Sequence, residues 1–398
     1  MRTGSSGPIV ARVASWYPLP AQRESSITIT GGGTAGHVFP ALAIADALIA
    51  IGYTKDRIGF VGSRRGMEGR LVLDAGYAIW LLPGRGISRR LSLANLWAVL
   101  GLLAATLRSI ARMTRMRPSV VVSVGGYAAV PCSIAAVILN VPIVVVNVDA
   151  AAGLANRLIA RFARLSAVGF ASTPLPRAVV TGAPVRDEIE AVTRGLGERL
   201  QARRLLGVPE QAKLVAIVGG SLGAGRLNEL GLVLAKALEF REDVVIYHVV
   251  GERNYAQMLD RVALSPSGPH YRCVAFATAM DSLLSAADLM VCRAGAMTVA
   301  ELAITGTPAI LLPIANSPND HQRKNAESLA LGGGAKLLDN ETPHDAFVQC
   351  VIDLVDDRAR LGAMSEAARR VGHRGAARVI AGLVDNVVRR KPPGELLK

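Results

Sequence analysis

Twice along the chain a short run of β-branched and aliphatic residues ends in a glycine cluster that opens into an Ala/Leu-rich helical stretch. This repeat restricts the fold more than any other feature. In its first copy, residues 27–30 read as a strand, Gly31-Gly32-Gly33-Thr34-Ala35-Gly36-His37 as a tight turn and 41–51 as a helix. In its second, 213–218 read as a strand, Gly219-Gly220-Ser221-Leu222-Gly223-Ala224 as the turn and 227–238 as a helix. Thr34 and Ser221 hold comparable places 187 residues apart. Strand, glycine turn and helix form the opening unit of a parallel βαβ layer, so the chain is expected to fold as two similar α/β halves.

The rest of the pattern extends both halves. Strands are expected at 58–61, 78–82, 120–124 and 142–147, with helices at 93–116 and 154–163 between them; further strands follow at 244–249, 272–276, 289–292 and 309–312. Such alternation predicts a doubly wound parallel sheet covered on both faces. Pro184, Gly195 and Gly197 loosen the pattern over 183–207, which sets the boundary. The expected organisation is a loose extension over 1–24, a first Rossmann-like domain over 25–184 and a second over 185–370, the two facing a cleft. A segment over 371–398 completes it, its helix (about 367–388) packing back on the first domain. At roughly 100–200 residues per domain, 398 residues suit this division. Within 1–24 the longest apolar run, Ile9-Val10-Ala11, is too short for a signal-peptide core. Residues 93–107 fall short of the roughly 20 that a spanning helix needs, and Gly125-Gly126, Pro131 and Pro142 interrupt 120–148, so no transmembrane segment is expected.

Lys and Arg total 45 against 31 Asp and Glu, a net charge of +14 that points to a polyanionic partner: nucleic acid, an acidic membrane or a phosphorylated substrate. Aromatic residues at 4% argue against stacking on single strands. Cys132, Cys273, Cys292 and Cys350 form neither a CxxC pair nor a dense framework, which suits buried thiols in a reducing compartment. Between Ala75 and Val148 there is no acid, but there are Arg85, Arg89, Arg90, Arg108, Arg112, Arg115 and Arg117. With Leu91, Leu93, Leu96 and Trp97 beside them, they have the composition of a surface that lies on an anionic membrane. A solvated basic face over a core helix is the competing reading.

Gly31, Gly33 and Gly36 satisfy G-x-G-x-x-G, yet a dinucleotide site also wants an acid at the end of the second strand, where this chain has Gly62-Ser63-Arg64-Arg65. The turns instead offer backbone N–H groups at helix starts, suited to phosphate or a developing oxyanion; glycines used only for turning compete with this. After the strand at 289–292, Gly295 is expected to open a helix whose amides face a diphosphate, with Glu301 about one turn in and able to accept two hydrogen bonds from a ribose diol. An ordinary helix-dipole partner is the alternative for Glu301. Asn319-Asp320-His321-Gln322-Arg323-Lys324-Asn325 lies at another helix start, within reach of a sugar or simply capping a surface helix. His37 is a candidate general base. With no Asp-x-Asp, no HExxH and no Cys/His ligand set, neither a metal nor a cofactor is expected.

Four blocks, Gly-Gly-Thr-Ala-Gly-His-Val-Phe-Pro at 32–40, Gly-Gly-Ser-Leu-Gly-Ala at 219–224, Gly-Ala-Met-Thr-Val-Ala-Glu at 295–301 and Asp-His-Gln-Arg-Lys-Asn-Ala at 320–326, closely resemble the MurG family. That resemblance implies the GT-B fold and a peripheral enzyme on the cytoplasmic face of the membrane. It implies transfer of N-acetylglucosamine from UDP-N-acetylglucosamine to a polyprenyl-diphosphate-linked muramyl peptide, with no nucleic-acid partner. By motif position, Thr34, Ala35 and Gly36 would line sugar and diphosphate, Arg186 and Ser221 would contact the nucleotide, and Ala277 would meet uracil. Ala296, Met297, Thr298, Val299, Ala300 and Glu301 would hold phosphate and ribose, and Gln322 the sugar hydroxyls. The chain departs where the family usually reads His-Glu-Gln-Asn: Val146-Asn147-Val148-Asp149 puts an acceptor-only carboxylate at Asp149, the second candidate base. The glutamine often found at Leu222 is also absent. A UDP-sugar 2-epimerase of similar layout and a non-catalytic membrane scaffold are the alternatives.

Overall fold

The computed structural model describes residues 26–64, 66–83, 93–220, 224–263, 270–315 and 317–389, with 93–98 and 262–263 described in backbone only. The expected extension over 1–24 and the side chains of Arg85, Arg89, Arg90, Leu91, Leu93, Leu96, Trp97, Ser221 and Leu222 lie outside this description.

Two compact units form. Unit 1 comprises the chain up to Val148, Ala152–Pro184 and Ala376 onward; unit 2 comprises Asp149–Ala151 and Val185–Gly375. Unit 1 contains β1 (Ile27–Gly31), α1 (Ala35–Ala50), β2 (Ile58–Ser63), α2 (Glu68–Asp74), β3 (Ala78–Leu82), α3 (Leu93–Met116), β4 (Val120–Gly125), α4 (Ala129–Ile138), β5 (Ile143–Asn147), α5 (Leu154–Ile159), β6 (Leu165–Val168) and β7 (Ala178–Val180). Unit 2 contains α6 (Asp187–Glu190), α7 (Leu196–Leu206), β8 (Lys213–Val218), α8 (Gly225–Ala237), β9 (Val244–Val249), α9 (Tyr255–Ala263), β10 (Tyr271–Val274) and α10 (Met280–Ala286). It continues with β11 (Leu289–Cys292), α11 (Ala296–Thr305), β12 (Ala309–Leu311), α12 (His321–Leu331), β13 (Ala335–Leu337), α13 (His344–Asp356) and α14 (Arg358–Val371). The last helix, α15 (Ala376–Val388), returns to unit 1.

The strand orders are β3-β2-β1-β4-β5-β6-β7 and β10-β9-β8-β11-β12-β13, with parallel pairing throughout. Both sheets therefore follow one plan, in which connections run outward in opposite directions from a central pair. That switch lies between β1 and β4 in the first sheet and between β8 and β11 in the second, and ligands of open α/β sheets bind at the carboxyl ends of such strands. Right-handed crossovers put α1 and α2 on one face of the first sheet and α3, α4 and α5 on the other; α3 packs on α4, and α15 packs on α1.

The strands are buried on both faces, so they read as unbroken aliphatic runs: Val120, Val121 and Val122 in β4, and Leu214 to Ile217 in β8, are fully enclosed. Under the second sheet, Leu227, Leu230 and Leu234 of α8 and Phe347, Val351 and Leu354 of α13 close the core. Each such side chain contributes about 1.5–3 kcal/mol of burial. In unit 1 the corresponding layer is Val121, Cys132, Ala135, Ile143 and Val145.

Two expectations are corrected. The single helix over 367–388 is two, α14 and α15, because Gly375 takes a positive φ of 75° and any Cβ on Gly372 would lie 2.8 Å from the Ala303 carbonyl oxygen. The helix expected over 154–163 stops at Ile159.

Candidate functional site

In unit 1, β1 ends against β4 at paired glycines, Gly31 opposite Gly125. A Cβ at Gly126 would come 2.4 Å from the Gly32 carbonyl oxygen, so the two turns lie backbone to backbone. Gly32 and Gly33 carry φ of 149° and 96°, and Thr34 caps α1 in an extended conformation. The Thr34 hydroxyl and His37 Nδ1 share a hydrogen bond of 3.2 Å, which orients the imidazole at the first turn of α1.

Not every amide of this turn is open, as the sequence suggested. Glu68, 1% exposed, accepts the Gly33 N–H through Oε2 at 3.0 Å and the Ser63 N–H through Oε1 at 2.7 Å. A Cβ at Gly32, Gly62 or Gly66 would collide with this side chain, so three glycines make room for one glutamate. Tyr127 adds a second brace: its hydroxyl donates to Ser63 Oγ at 3.1 Å, and its ring edge lies 3.2 Å from where a Gly33 Cβ would be. The helix start that remains for a ligand is that of Thr34, Ala35 and Gly36.

In unit 2, β8 and β11 end side by side, Val218 opposite Cys292. Beyond them lie Gly219, Gly220 with φ 85°, and Gly295, which caps α11 with no side chain of its own. The first amides of α11, those of Ala296, Met297 and Thr298, are the donors a helix start leaves over; Val299 N–H is the first to turn back, donating to the Gly295 carbonyl at 2.9 Å. Ala300 and Glu301 occupy the second turn. Burial pushes the Glu301 carboxyl up to about 7, with Arg186 opposing the shift and Glu188 adding to it. Arg186 caps α6, which packs on α11, and its Nη1 pairs with Glu188 at 2.8 Å. The fold thus brings Arg186 to Glu301 across more than a hundred residues of chain.

Arg293, directly after β11, is held away by other partners. Its Nη1 donates to the Leu312 carbonyl at 2.9 Å and to Asn340 Oδ1 at 2.8 Å. Gln322 accepts the Ile314 N–H through Oε1 at 2.9 Å, which fixes its amide at the start of α12. The loop before it is strained: Asn319 and Asp320 both adopt left-handed φ, 56° and 53°, a backbone state that persists where the surroundings impose it. Ala277 is buried in the loop beyond β10, at this same carboxyl end of the sheet.

Asp149 belongs with these residues. Asn325, fully buried, donates from Nδ2 to Asp149 Oδ1 at 3.0 Å and to the Ala294 carbonyl at 3.2 Å, while its Oδ1 accepts the Ala150 N–H at 2.8 Å. One amide therefore ties residues 149–150 to the turn that opens α11. Neither Glu68 nor this clamp was found from sequence, where only the G-x-G spacing and the polarity of 319–325 were signals. Among the described residues no group of three His, Cys, Asp or Glu side chains is placed to hold a metal ion.

Two Rossmann-like sheets with glycine turns at both switch points have the GT-B fold, and the family matches make this a glycosyltransferase. Residues 27–168 match the glycosyltransferase family 28 N-terminal domain, and 214–380 the family 28 C-terminal domain. Over 375 residues the chain is 39% identical to the UDP-N-acetylglucosamine--N-acetylmuramyl-(pentapeptide) pyrophosphoryl-undecaprenol N-acetylglucosamine transferase of Mycobacterium sp. (strain JLS), covering 93% of this chain and 97% of that one. It is 38% identical to the Streptomyces coelicolor protein of that name, over 90% of this chain and 97% of the other. The crystal structure of Acinetobacter baumannii MurG superimposes with a TM-score of 0.73 at 30% identity, covering 91% of this chain and all of that one. The chain belongs to this MurG family of transferases. A UDP-N-acetylglucosamine 2-epimerase structure shares the fold alone, with a TM-score of 0.60 at 14% identity.

Proposed function

We propose that the chain is an inverting transferase that moves N-acetylglucosamine from UDP onto the 4-hydroxyl of a muramyl pentapeptide carried on polyprenyl diphosphate, the step from lipid I to lipid II in peptidoglycan synthesis. The observation that carries this reading is the uncapped start of α11 with Glu301 in its second turn and Arg186 within electrostatic reach. The acceptor follows from the relatives, which bear the name of that transfer over nine-tenths of the chain.

In this reading the amides of Ala296, Met297 and Thr298, with Arg186 and Ser221, take up the charge that develops on the departing diphosphate. Glu301 accepts the ribose hydroxyls, Val299 and Ala300 shape the wall beside them, and the Ala277 backbone meets uracil. Gln322, its carbonyl already held by Ile314, turns its amide N–H groups to the sugar. His37, oriented by Thr34, takes the proton of the attacking hydroxyl as the bond to the anomeric carbon forms and the bond to UDP breaks. Asp149 is the second candidate base, its Oδ1 already accepting from Asn325.

The enzyme would work as a peripheral protein on the cytoplasmic membrane face, supplying the wall precursor on which cell shape and division depend. No helix among the described residues is long and apolar enough to cross a membrane. On α3, Leu100, Leu103 and Leu107 are exposed at helical spacing, 47%, 56% and 67%, beside Arg108, Arg112 and Arg115. This apolar and basic stripe has the same composition as the sequence segment with Arg85, Arg89, Arg90, Leu93, Leu96 and Trp97, and it supports docking on an anionic bilayer.

The test is release of UDP from UDP-N-acetylglucosamine in the presence of a short-chain lipid I analogue and EDTA. Acceptor-dependent UDP release with a disaccharide product is expected. A sugar isomer formed without acceptor would support the epimerase alternative instead. UDP binding with no turnover would support a scaffold, and an absolute need for added magnesium or manganese would overturn the helix-start account of the leaving group.

A further inference from the structure

At the end of the second sheet opposite Gly219 and Gly295 lies a cavity of about 530 Å3, framed by the amino ends of β8, β11 and β12 and walled by α7 and α14. Lys213 opens β8, Asp288 precedes β11 and Pro308 precedes β12, and all three line it. Six cationic residues line it: Arg194, Arg199, Arg203, Lys213, Arg358 and Arg369. Only two carboxylates, Glu210 and Asp288, share the lining.

Both carboxylates are already committed. Asp288 accepts from Arg199 through Oδ1, and from Arg203 Nη2 and the Leu214 N–H through Oδ2, each of these at 2.7 Å. Glu210 accepts from Arg204 Nε at 2.6 Å. Lys213 pairs with Asp356 at 2.6 Å and Asp243 at 3.2 Å, which Arg241 also claims. With these outer partners included the positive excess is still four. Arg194 is turned to the carbonyl end of α10, donating to Ala287 at 2.7 Å and Ser285 at 3.2 Å. Arg358 and Arg369 have no carboxylate partner among the described residues, and Arg369 donates only to Ser365 Oγ, at 2.9 Å. Arg203 is 6% exposed, and its Nε–H has no acceptor. The crowding registers on Arg194, whose guanidinium is brought down to about 9 by burial first and then by Arg199, with Arg369 and Arg203 adding to it and Asp288 opposing.

We propose that this cavity is a second anion site, which takes a phosphate-bearing ligand at the end of the sheet away from the donor turn. Guanidinium forks that line one cavity from α7 and α14 match the oxygens of a phosphate group, whose two charges offset more of the excess than a single carboxylate would. The ligand is either a soluble phosphorylated compound or the phosphate of a lipid headgroup.

The experiment is calorimetric titration of inorganic pyrophosphate into the full chain, alone and with saturating UDP. Pyrophosphate is expected to bind in the presence of UDP. The double variant Arg358→Glu, Arg369→Glu, both positions exposed, should weaken that binding at least tenfold with UDP affinity unchanged, and Arg358→Gln, Arg369→Gln should weaken it less. Failure of UDP itself to bind would count against the donor reading while the pyrophosphate titration still reports on this cavity. Displacement of pyrophosphate by phosphatidylglycerol vesicles, lost in the double variant, would identify a headgroup; vesicles without effect would identify a soluble ligand. No pyrophosphate binding beside UDP, or equal binding by the folded double variant, would overturn the proposal.

Discussion

In the proposed donor site, Glu301 would couple UDP binding to pH. Its carboxyl ordinarily loses its proton near 4.5, and burial moves that loss to about 7. The sign follows: the fold favours the protonated form, so the contribution of that proton to stability is present at low pH and is lost as pH rises from about 4.5 through about 7. Under the proposed reading donor binding would run the other way, since two hydrogen bonds from a ribose diol are accepted best by the carboxylate. UDP affinity should therefore rise between pH 6 and pH 8 in the wild type. Glu301→Gln should flatten the profile and weaken binding by about tenfold or more, the worth of hydrogen bonds to a charged group at roughly 1.5–3 kcal/mol. Titration calorimetry across that range checks both, and an unaltered pH profile in the variant would remove Glu301 from the donor site. At this scale the sequence was partly legible. A helix start with a glutamate behind it can be read locally, whereas Arg186 meets Glu301 only because α6 packs on α11. Asp149 and Asn325 are likewise invisible as a pair, 176 residues apart.

The elements were the most legible level, for a physical reason. Parallel strands covered on both faces are continuous aliphatic runs, so β3, β8, β9 and β11 match their expected bounds and α3 matches at both ends. The strands not anticipated, β6, β7 and β13, have only three or four residues each, too few to show a period. The glycines of the first turn were read as a source of free amides, but Gly32 of that turn, with Gly62 and Gly66 around the end of β2, also clears space for Glu68 of α2, a requirement set by packing that spacing cannot encode. Because that carboxylate holds both Gly33 and Ser63, Glu68→Gln should lose one of the two acceptors and loosen the start of α1. We expect kcat to fall about tenfold or more while UDP affinity, assigned to unit 2 in the proposed function, stays the same; equal loss of both in a variant with normal melting would contradict this division. On α3 the exposed stripe makes its own prediction. Leu103→Glu with Leu107→Glu should reduce sedimentation with anionic vesicles and leave UDP binding intact, and unchanged sedimentation would remove this face from membrane docking.

For the molecule as a whole, the path of the chain between the units matters as much as either sheet. Unit 1 is built from both ends of the described sequence, since α15 returns to it after all of 185–375 has been laid down. That return explains why α1 is apolar over most of its circumference: Val38, Ala41, Leu42, Ile44, Ala45 and Leu48 are buried, with the sheet and α15 both packed on the helix. Tyr53 fixes the arrangement, its hydroxyl donating to Asp385 at 2.9 Å. A ribosome releases this chain in order, so unit 2 can finish folding while unit 1 still lacks its cover. During that interval one side of α1 is bare hydrophobic surface and depends on rapid completion of synthesis or on a chaperone. A chain ended at Gly375 would hold that unfinished state permanently. It should bind a hydrophobic dye and exchange the amide protons of 35–50 quickly, with unit 2 still protected, and a synthetic α15 peptide should restore the protection. Slow exchange in α1 without the peptide would show that unit 1 needs no such closing strap. Birth order thus makes the last of the described helices the one that seals the first of them.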